Sequence, residues 1–234
     1  MKLLYLILLF FTVLFPLVLS FDKKVAYSRN WKWVLLSAFV VSIPFLLWDQ
    51  FFTLHGVWGF NDQYLLGVYL GHLPLEEVLF FFVVPFACTF IYECVKFYFK
   101  KVKLKWFNYG FAMVLLFYAF FIEVNGFGKW YTDSAVATSI IVLALIYSDI
   151  ENYRFVPLAF TFAFVPFLLV NGILTGFMLA DPVVWYSYTQ FSQLRMGTIP
   201  LEDALYGFSL ITLNIVTYEY LKSLVRRRLK RKAA

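Results

Sequence analysis

Two pairs of adjacent acids, Glu76-Glu77 and Glu202-Asp203, are the residues in this sequence best suited to chemistry. Each pair follows a Pro-Leu dipeptide and precedes an apolar stretch rich in aromatic residues. Ionisable groups within apolar membrane segments are costly and often mark functional sites. Burial and like-charged neighbours favour the protonated form of a carboxyl group, so clustered acids suit general acid–base catalysis. The structural alternative is a helix N-terminus, where proline and acids are both preferred.

Further polar residues end three other apolar stretches, namely Asp49, Asn125 and Asn171. Short connections would bring them to the same depth as the acid pairs. Adjacent helical residues point about 100° apart, so one acid of each pair can face the bundle interior while its neighbour faces another helix. We predict that the catalytic acid and base are among Glu76, Glu77, Glu202 and Asp203, with the roles undivided and with Asp49 assisting.

A second set of acids, Glu93 and Glu219, has a simpler interpretation. Each lies 17 residues after the first acid of its pair, roughly 25 Å along a helix at 1.5 Å per residue. Lys96 and Lys222 follow three residues later. Ion pairs with this i,i+3 spacing are expected on a helix surface.

The elements that position these acids follow from composition. Hydrophobic residues form 62% of the 234-residue chain, and charged residues only 15%. Soluble domains average about 45–50% apolar residues, so the composition predicts an all-α integral membrane protein and excludes nucleic-acid binding. Seven apolar spans are expected, at about 3–20, 32–54, 74–99, 107–124, 132–149, 155–174 and 198–221. The first has no small-residue cleavage pattern, so we interpret it as an uncleaved helix.

The basic residues predict the orientation of this bundle. Of the 20 Lys and Arg residues, 17 fall on one face of the predicted topology, and only Lys2, Lys129 and Arg195 fall on the other. Positive charge is retained in the cytoplasm, which predicts an external N-terminus and a cytoplasmic C-terminus in the cell membrane. The basic tail, residues 222–232, is expected to lie near anionic lipid headgroups.

The sequence also contains an internal duplication. A shift of 126 residues aligns LPLEE at residues 73–77 with IPLED at 199–203, and YE at 92–93 with YE at 218–219. Spans two–three and six–seven are therefore predicted to be parallel repeats, with spans four–five as a candidate third copy. We predict a first half over residues 1–104 and a second half over residues 105–234.

Several segments around the acid pairs form a specific pattern. In the first half they are WDQFFT (48–53), GVWGFN (56–61), LPLEE (73–77), PFAC (85–88) and YE (92–93). In the second half they are NGILTG (171–176), RMGTIPLED (195–203), YGF (206–208), Asn214 and YE (218–219). The pattern closely resembles the heterodimeric-type lycopene cyclases, here with both halves in one chain.

The resemblance implies cyclisation of lycopene ψ-ends to β-rings, which gives β-carotene through γ-carotene. No Gly-x-Gly-x-x-Gly turn follows a strand, so no flavin is expected. No metal is expected either, because His55 and His72 are not spaced with a Cys or an acid as in a metal site. The expected partners are membrane-embedded lycopene and the lipid bilayer, and no nucleic acid is expected. The sequence does not decide whether the protein forms a homo-oligomer. The predicted substrate contacts are Trp58, Phe60, Asn61, Tyr64, Asn171, Trp185, Arg195 and Tyr206.

Other classes remain alternatives. A membrane cyclase of another isoprenoid would share these features, because pocket length is invisible in sequence. A proton-coupled transporter would also carry intramembrane acids, although nearer the bilayer midplane. A retinal-binding protein would need a lysine deep in the last helix, whereas the last span has none before Lys222.

Overall fold

The computed structural model describes residues 2–233, with side chains described as far as residue 224. Seven long helices dominate it and confirm the predicted all-α bundle. They are α1 (Leu4–Leu19), α2 (Trp31–Leu54), α3 (Leu75–Tyr98), α4 (Lys105–Gly126), α5 (Trp130–Tyr147), α7 (Val156–Leu174) and α8 (Glu202–Ala233), with a short α6 (Ile150–Tyr153) before α7. The basic residues predicted as a headgroup anchor lie, after Lys222, outside the described side chains.

Five helical segments within the described residues are long and apolar enough to cross a membrane. They are Tyr27–Leu54, Leu75–Tyr98, Lys105–Gly126, Trp130–Tyr147 and Ile150–Leu174. Five of the seven predicted spans therefore correspond to helices that are long and apolar enough to cross a membrane. Helix α1 has only 16 residues. Helix α8 lies against α2, α3, α5 and α7, and this protein environment accommodates polar residues such as Asn214 that lipid would not.

The chain repeats a three-helix unit. Helices α1, α2 and α3 recur in the same order as α5, α7 and α8, and α1 and α5 begin 126 residues apart, at Leu4 and Trp130. This corrects the third-copy interpretation of spans four–five, because α5 is the counterpart of α1. A three-helix unit ends on the face opposite its start. The single crossing of α4 returns the chain, so both copies run in the same direction.

Short strands between the helices keep the same symmetry. The hairpin β2–β3 (Tyr69–Leu70 and Leu73–Pro74) recurs 126 residues later as β5–β6 (Arg195–Met196 and Ile199–Pro200). Strands β1 (Trp58–Phe60) and β4 (Val184–Tyr186), one from each half, pair antiparallel with Gly59 opposite Trp185. Because these two residues are also 126 positions apart, a pseudo-twofold axis passes between them.

We call the end of the bundle that carries these strands the acid end. Helix α2 terminates there, and α3 and α8 begin there. The opposite end, where Lys96 and Lys222 lie, is the basic end. Between them the core is strongly aromatic, with Phe81, Tyr92 and Phe208 almost inaccessible.

Candidate active site

Carboxyl groups from both halves open into one cavity at the acid end. The cavity has about 660 Å³ of empty space, its open side included, and Asp49, Glu77 and Asp203 all line it. Asp49 comes from the last turns of α2, whereas Glu77 and Asp203 come from the first turns of α3 and α8. The two halves therefore form one shared site beside the pseudo-twofold axis.

The two members of each acid pair have different roles in the structure. Glu77 and Asp203 face the cavity. Their neighbours Glu76 and Glu202 are fully buried and accept hydrogen bonds from loop backbone amides, Leu66 N to Glu76 Oε1 and Ser192 N to Glu202 Oε1, both at 2.6 Å. The roughly 100° between adjacent helical residues explains this division.

Asp49 differs from Glu77 and Asp203, the other two acids that line the cavity. Its Oδ1 accepts a hydrogen bond from Trp58 Nε1 at 2.5 Å and a longer one from Thr53 Oγ1 at 3.4 Å. Its Oδ2 is buried and has no hydrogen-bond partner among the described residues. A buried carboxyl oxygen without a donor is suited to carry a proton, because burial as a bare anion would be costly.

Asp203 is supported by three donors. Tyr131 donates to Oδ1 at 2.5 Å, while Asn171 and Tyr186 donate to Oδ2 at 2.7 Å and 3.0 Å. Tyr186 lies on strand β4, outside the spanning helices. Burial is the main cause that raises the pKa of its hydroxyl, and the nearby charge of Asp203 is the second. Tyr186 is therefore a neutral donor. Three donors of this kind stabilise a carboxylate.

Glu77 has less support than Asp203. In the part of the chain that the structure describes, its one side-chain donor is the Tyr5 hydroxyl of α1, at 2.6 Å. Tyr5 is almost completely buried, so this bond is shielded from water. Glu77 is the 126-residue counterpart of Asp203, and Tyr5 is the counterpart of Tyr131.

Aromatic rings form much of the cavity wall. Trp58 packs edge-on against Tyr131 with centroids 5.0 Å apart, and Tyr131 stacks on Tyr186 at 5.8 Å. Tyr206 lies 6.2 Å from Trp58. Electron-rich ring faces attract cations that come within about 6 Å. The cavity thus combines proton-transfer groups with surfaces that can stabilise positive charge.

The predicted substrate contacts divide into two groups. Trp58, Phe60, Asn171 and Tyr206 line the cavity. Asn61, Tyr64, Trp185 and Arg195 are not among the lining residues. The Asn61 side chain accepts from Gln63 N, Tyr64 packs in a cluster with α1, Trp185 is exposed, and Arg195 donates to Thr198 O.

Sequence reasoning missed three tyrosines, Tyr5, Tyr131 and Tyr186. Tyr5 and Tyr131 are separated by the same 126 residues as the acids they contact. This spacing is a signal in the sequence: the 126-residue alignment of the two halves can be continued from the acid motifs toward the N-terminus, where it pairs the two tyrosines. Tyr186 has Phe60 as its counterpart and gave no such signal.

At the basic end the predicted i,i+3 ion pairs are only partly correct. Lys96 lies 3.4 Å from Glu93 in α3, as predicted. Glu219, however, pairs with Lys96 of the other half, and Lys222 pairs with Glu93 at 3.1 Å. Helices α3 and α8 adjoin here, so the pairs cross between halves. We call Glu93, Lys96, Tyr218, Glu219 and Lys222 the crossed ion cluster.

The described residues contain no group of three or more His, Cys, Asp or Glu side chains arranged to hold a metal ion. Asp49, Glu77 and Asp203 instead hydrogen-bond to Trp58, Tyr5 and Tyr131, respectively. The expectation that the protein works without a cofactor stays a prediction.

Comparison with known proteins identifies the family. The family model for lycopene cyclase matches residues 2–95 and 128–221. The second match begins and ends 126 residues after the first (128 against 2, and 221 against 95), which agrees with the duplicated motifs. Neither the curated proteins nor the solved structures gave a match. The two matches cover well over half of the sequence, so the chain belongs to the lycopene cyclase family and is a membrane cyclase of carotenoid biosynthesis.

Proposed function

We propose that this protein is a lycopene β-cyclase, which converts acyclic ψ-ends into β-rings and gives β-carotene through γ-carotene. The observation that carries the proposal is the convergence of Asp49, Glu77 and Asp203 on one aromatic cavity. Proton donor, proton acceptor and cation-stabilising rings are the groups that a proton-initiated cyclisation requires.

The chemistry is an isomerisation, so the protein acts as an intramolecular lyase. A carboxylic acid donates its proton to the terminal carbon–carbon double bond, which leaves a tertiary carbocation. The neighbouring double bond attacks this cation, closes the ring and moves the positive charge onto a ring carbon. A carboxylate then removes a ring proton and forms the ring double bond. One proton enters, one leaves, and no electrons are exchanged.

The hydrogen bonds support a division of roles among the three acids. Asp203, with donors on both oxygens, is suited to remain a carboxylate and accept the ring proton. Three neighbouring carboxyl groups in an apolar cavity cannot all be ionised, because like charges repel. The proton therefore resides on Asp49 or Glu77. Asp49 is the better donor, since its Oδ2 is buried without a partner among the described residues.

The aromatic walls have a matching role. The intermediate carries positive charge near the rings of Trp58, Tyr131 and Tyr206, which face the cavity. Cation–π attraction contributes about 0.5–2 kcal/mol per ring, and the upper value applies where water is excluded. The same rings exclude water, which would otherwise capture the cation as an alcohol.

The membrane setting is part of the proposal. The acid end would face the outside of the cell membrane and the basic end the cytoplasm, as the distribution of Lys and Arg favours. The substrate would enter from the hydrocarbon region, where lycopene dissolves. A fusion reporter placed after Ala234 is expected to be active in the cytoplasm, and activity only outside would reverse this orientation.

The test is expression in lycopene-accumulating bacteria followed by pigment analysis. We expect β-carotene, with about one deuterium gained per ring when conversion occurs in deuterated water, because the donating acid exchanges with solvent. Purified protein in lipid should convert lycopene without added flavin or nicotinamide. Unchanged lycopene in cells that contain inserted protein would refute the proposal, and rings without deuterium would remove the donor role.

A further inference from the structure

A second, larger cavity borders the cavity that Asp49, Glu77 and Asp203 line, which we call the acid cavity. This second cavity has no role in the chemistry above. It is a groove between α1, α3 and α7, with about 1150 Å³ of empty space, its open side included. Phe11 and Phe15 of α1, Ala87 and Cys88 of α3, and Ala163 and Leu169 of α7 are among its lining residues. We call it the lipid-side groove.

The lipid-side groove adjoins the acid cavity. Five residues line both: Phe80, Val84, Phe167, Asn171 and Ile211. The groove also follows α3 as far as Ile91, which is 14 residues beyond Glu77. At 1.5 Å per residue this corresponds to about 21 Å of helix. A long molecule in the groove would therefore have one end at the wall that the groove shares with the acid cavity, beside the carboxyl groups.

The groove is open on the side that faces lipid. Its rim residues Phe11, Phe15 and Leu169 are 59%, 71% and 67% exposed, whereas Ala163 on its floor is only 1% exposed. Both rim helices are apolar. An apolar molecule can thus enter sideways from the hydrocarbon region without crossing water.

The lining specifies an occupant without a polar headgroup. Thr12 and Asn171 are the polar residues on its wall, and both have partners, since Thr12 donates to Leu8 O at 2.8 Å and Asn171 donates to Asp203. The inner end of the groove adjoins the acid cavity, where a phospholipid headgroup would bring further negative charge against carboxyl groups. An acyclic hydrocarbon polyene fits both ends.

We propose that the lipid-side groove admits the substrate from the membrane and holds its polyene chain while one end lies in the acid cavity. This rests on the proposed function. It also implies an order of events: with one groove leading to one cavity, the two ends of the substrate are cyclised in successive binding events. After the first ring forms, the monocyclic product withdraws and returns with its other end.

Two groove-filling variants test the proposal, each with a matched control on the same helix. Ala163→Phe fills the floor at α7, and Thr12→Trp fills the wall at α1. The controls are Val165→Phe and Ile7→Trp, at exposed positions outside the groove. Lycopene conversion should fall at least about tenfold in the filling variants, equivalent to about 1.4 kcal/mol, and stay within about twofold in the controls.

A shortened acyclic apocarotenoid with the same ψ-end separates groove effects from misfolding. Filling variants should still cyclise it, because its chain ends before the filled part of the groove. Equal loss for lycopene and the short substrate would overturn the proposal, as would normal lycopene conversion in both filling variants. The second result would leave the groove to a lipid chain or to another copy of the protein. Failure of the unaltered protein to cyclise lycopene would instead refute the proposed function.

Discussion

In the first half of the chain Tyr5 donates a hydrogen bond to Glu77 at 2.6 Å, and in the second half Tyr131 donates to Asp203 at 2.5 Å. Both tyrosines start the first helix of a repeat, and both acids start the third. The loops are similar as well. In each half a loop backbone amide donates a hydrogen bond of 2.6 Å to the other acid of the pair, Glu76 or Glu202. The duplication has therefore preserved an acid–tyrosine unit in each half.

The surroundings of these two units differ. Asp203 gains Asn171 and Tyr186 as donors, whereas Glu77 has Tyr5 as its one side-chain donor among the described residues. Asp49, at the end of α2, occupies the place that Asn171 takes at the end of α7. The second half thus stabilises one carboxylate, and the first half supplies two acids with less support. Neither half contains the complete set.

The largest expected effect comes from Asp203→Asn, and Glu77→Gln is its counterpart in the first half. Asp203→Asn should lose about 10²–10⁴-fold of lycopene conversion, because it removes the proposed proton acceptor and general acid–base groups contribute that much; Glu77→Gln should lose less, because Asp49 is the proposed donor. Since both acids serve one cavity, neither variant should accumulate γ-carotene. Chromatography of pigments, normalised to inserted protein, measures this. If either variant makes γ-carotene as its main product, each half cyclises one end of the substrate, and the hypothesis of a single shared active site is refuted.

Asp49→Asn tests the difference between the halves directly. It makes the end of α2 resemble that of α7, and it removes the proposed proton donor while keeping an acceptor for Trp58. We expect a loss of about 10²-fold in conversion. Thr53→Val, which removes only the longer 3.4 Å contact, is the control and should change conversion little. Equal rates for wild type and Asp49→Asn would assign the donor role to Glu77.

The two tyrosines should be unequal when each is replaced by phenylalanine. Tyr131→Phe removes a hydrogen bond to a carboxylate, a loss of about 1.5–3 kcal/mol, and should slow conversion at least tenfold. Tyr5→Phe should have a smaller effect, because its partner Glu77 is not the proposed carboxylate, whereas Asp203, the partner of Tyr131, is. Steady-state conversion rates of the two variants decide the order. The reverse order would exchange the proposed roles of Glu77 and Asp203.

The crossed ion cluster should respond symmetrically and weakly. Lys96→Met and Lys222→Met each remove a cation that contacts an acid of the other half. These side chains are only partly buried, so each loss should cost about 1 kcal/mol of stability. Thermal unfolding in detergent measures the cost, and conversion per folded molecule should be unchanged. A large loss of conversion without loss of stability would extend the functional site to the basic end.

Much of the fold follows from local sequence. Long apolar runs must form helices in a membrane, because only a helix satisfies all backbone polar groups within one segment. The predicted boundaries of the span at 32–54 differ by one residue from α2, Trp31–Leu54. The duplication was likewise readable, since PLEE and PLED motifs 126 residues apart are local patterns. The boundary between halves at residues 104 and 105 stays a prediction, and α4 lies outside both family matches.

The tertiary structure alone decided how these parts combine. That Glu77 and Asp203 face the cavity while Glu76 and Glu202 hold loops depends on which neighbouring helix packs on each face. The same is true of Asp203, whose donors come from α5, α7 and strand β4, and of Lys222, which contacts Glu93 on another helix. Sequence fixes the polarity and spacing of residues along one helix. The partner of a buried polar group is set by contacts between helices distant in the chain, and these form only when the bundle packs.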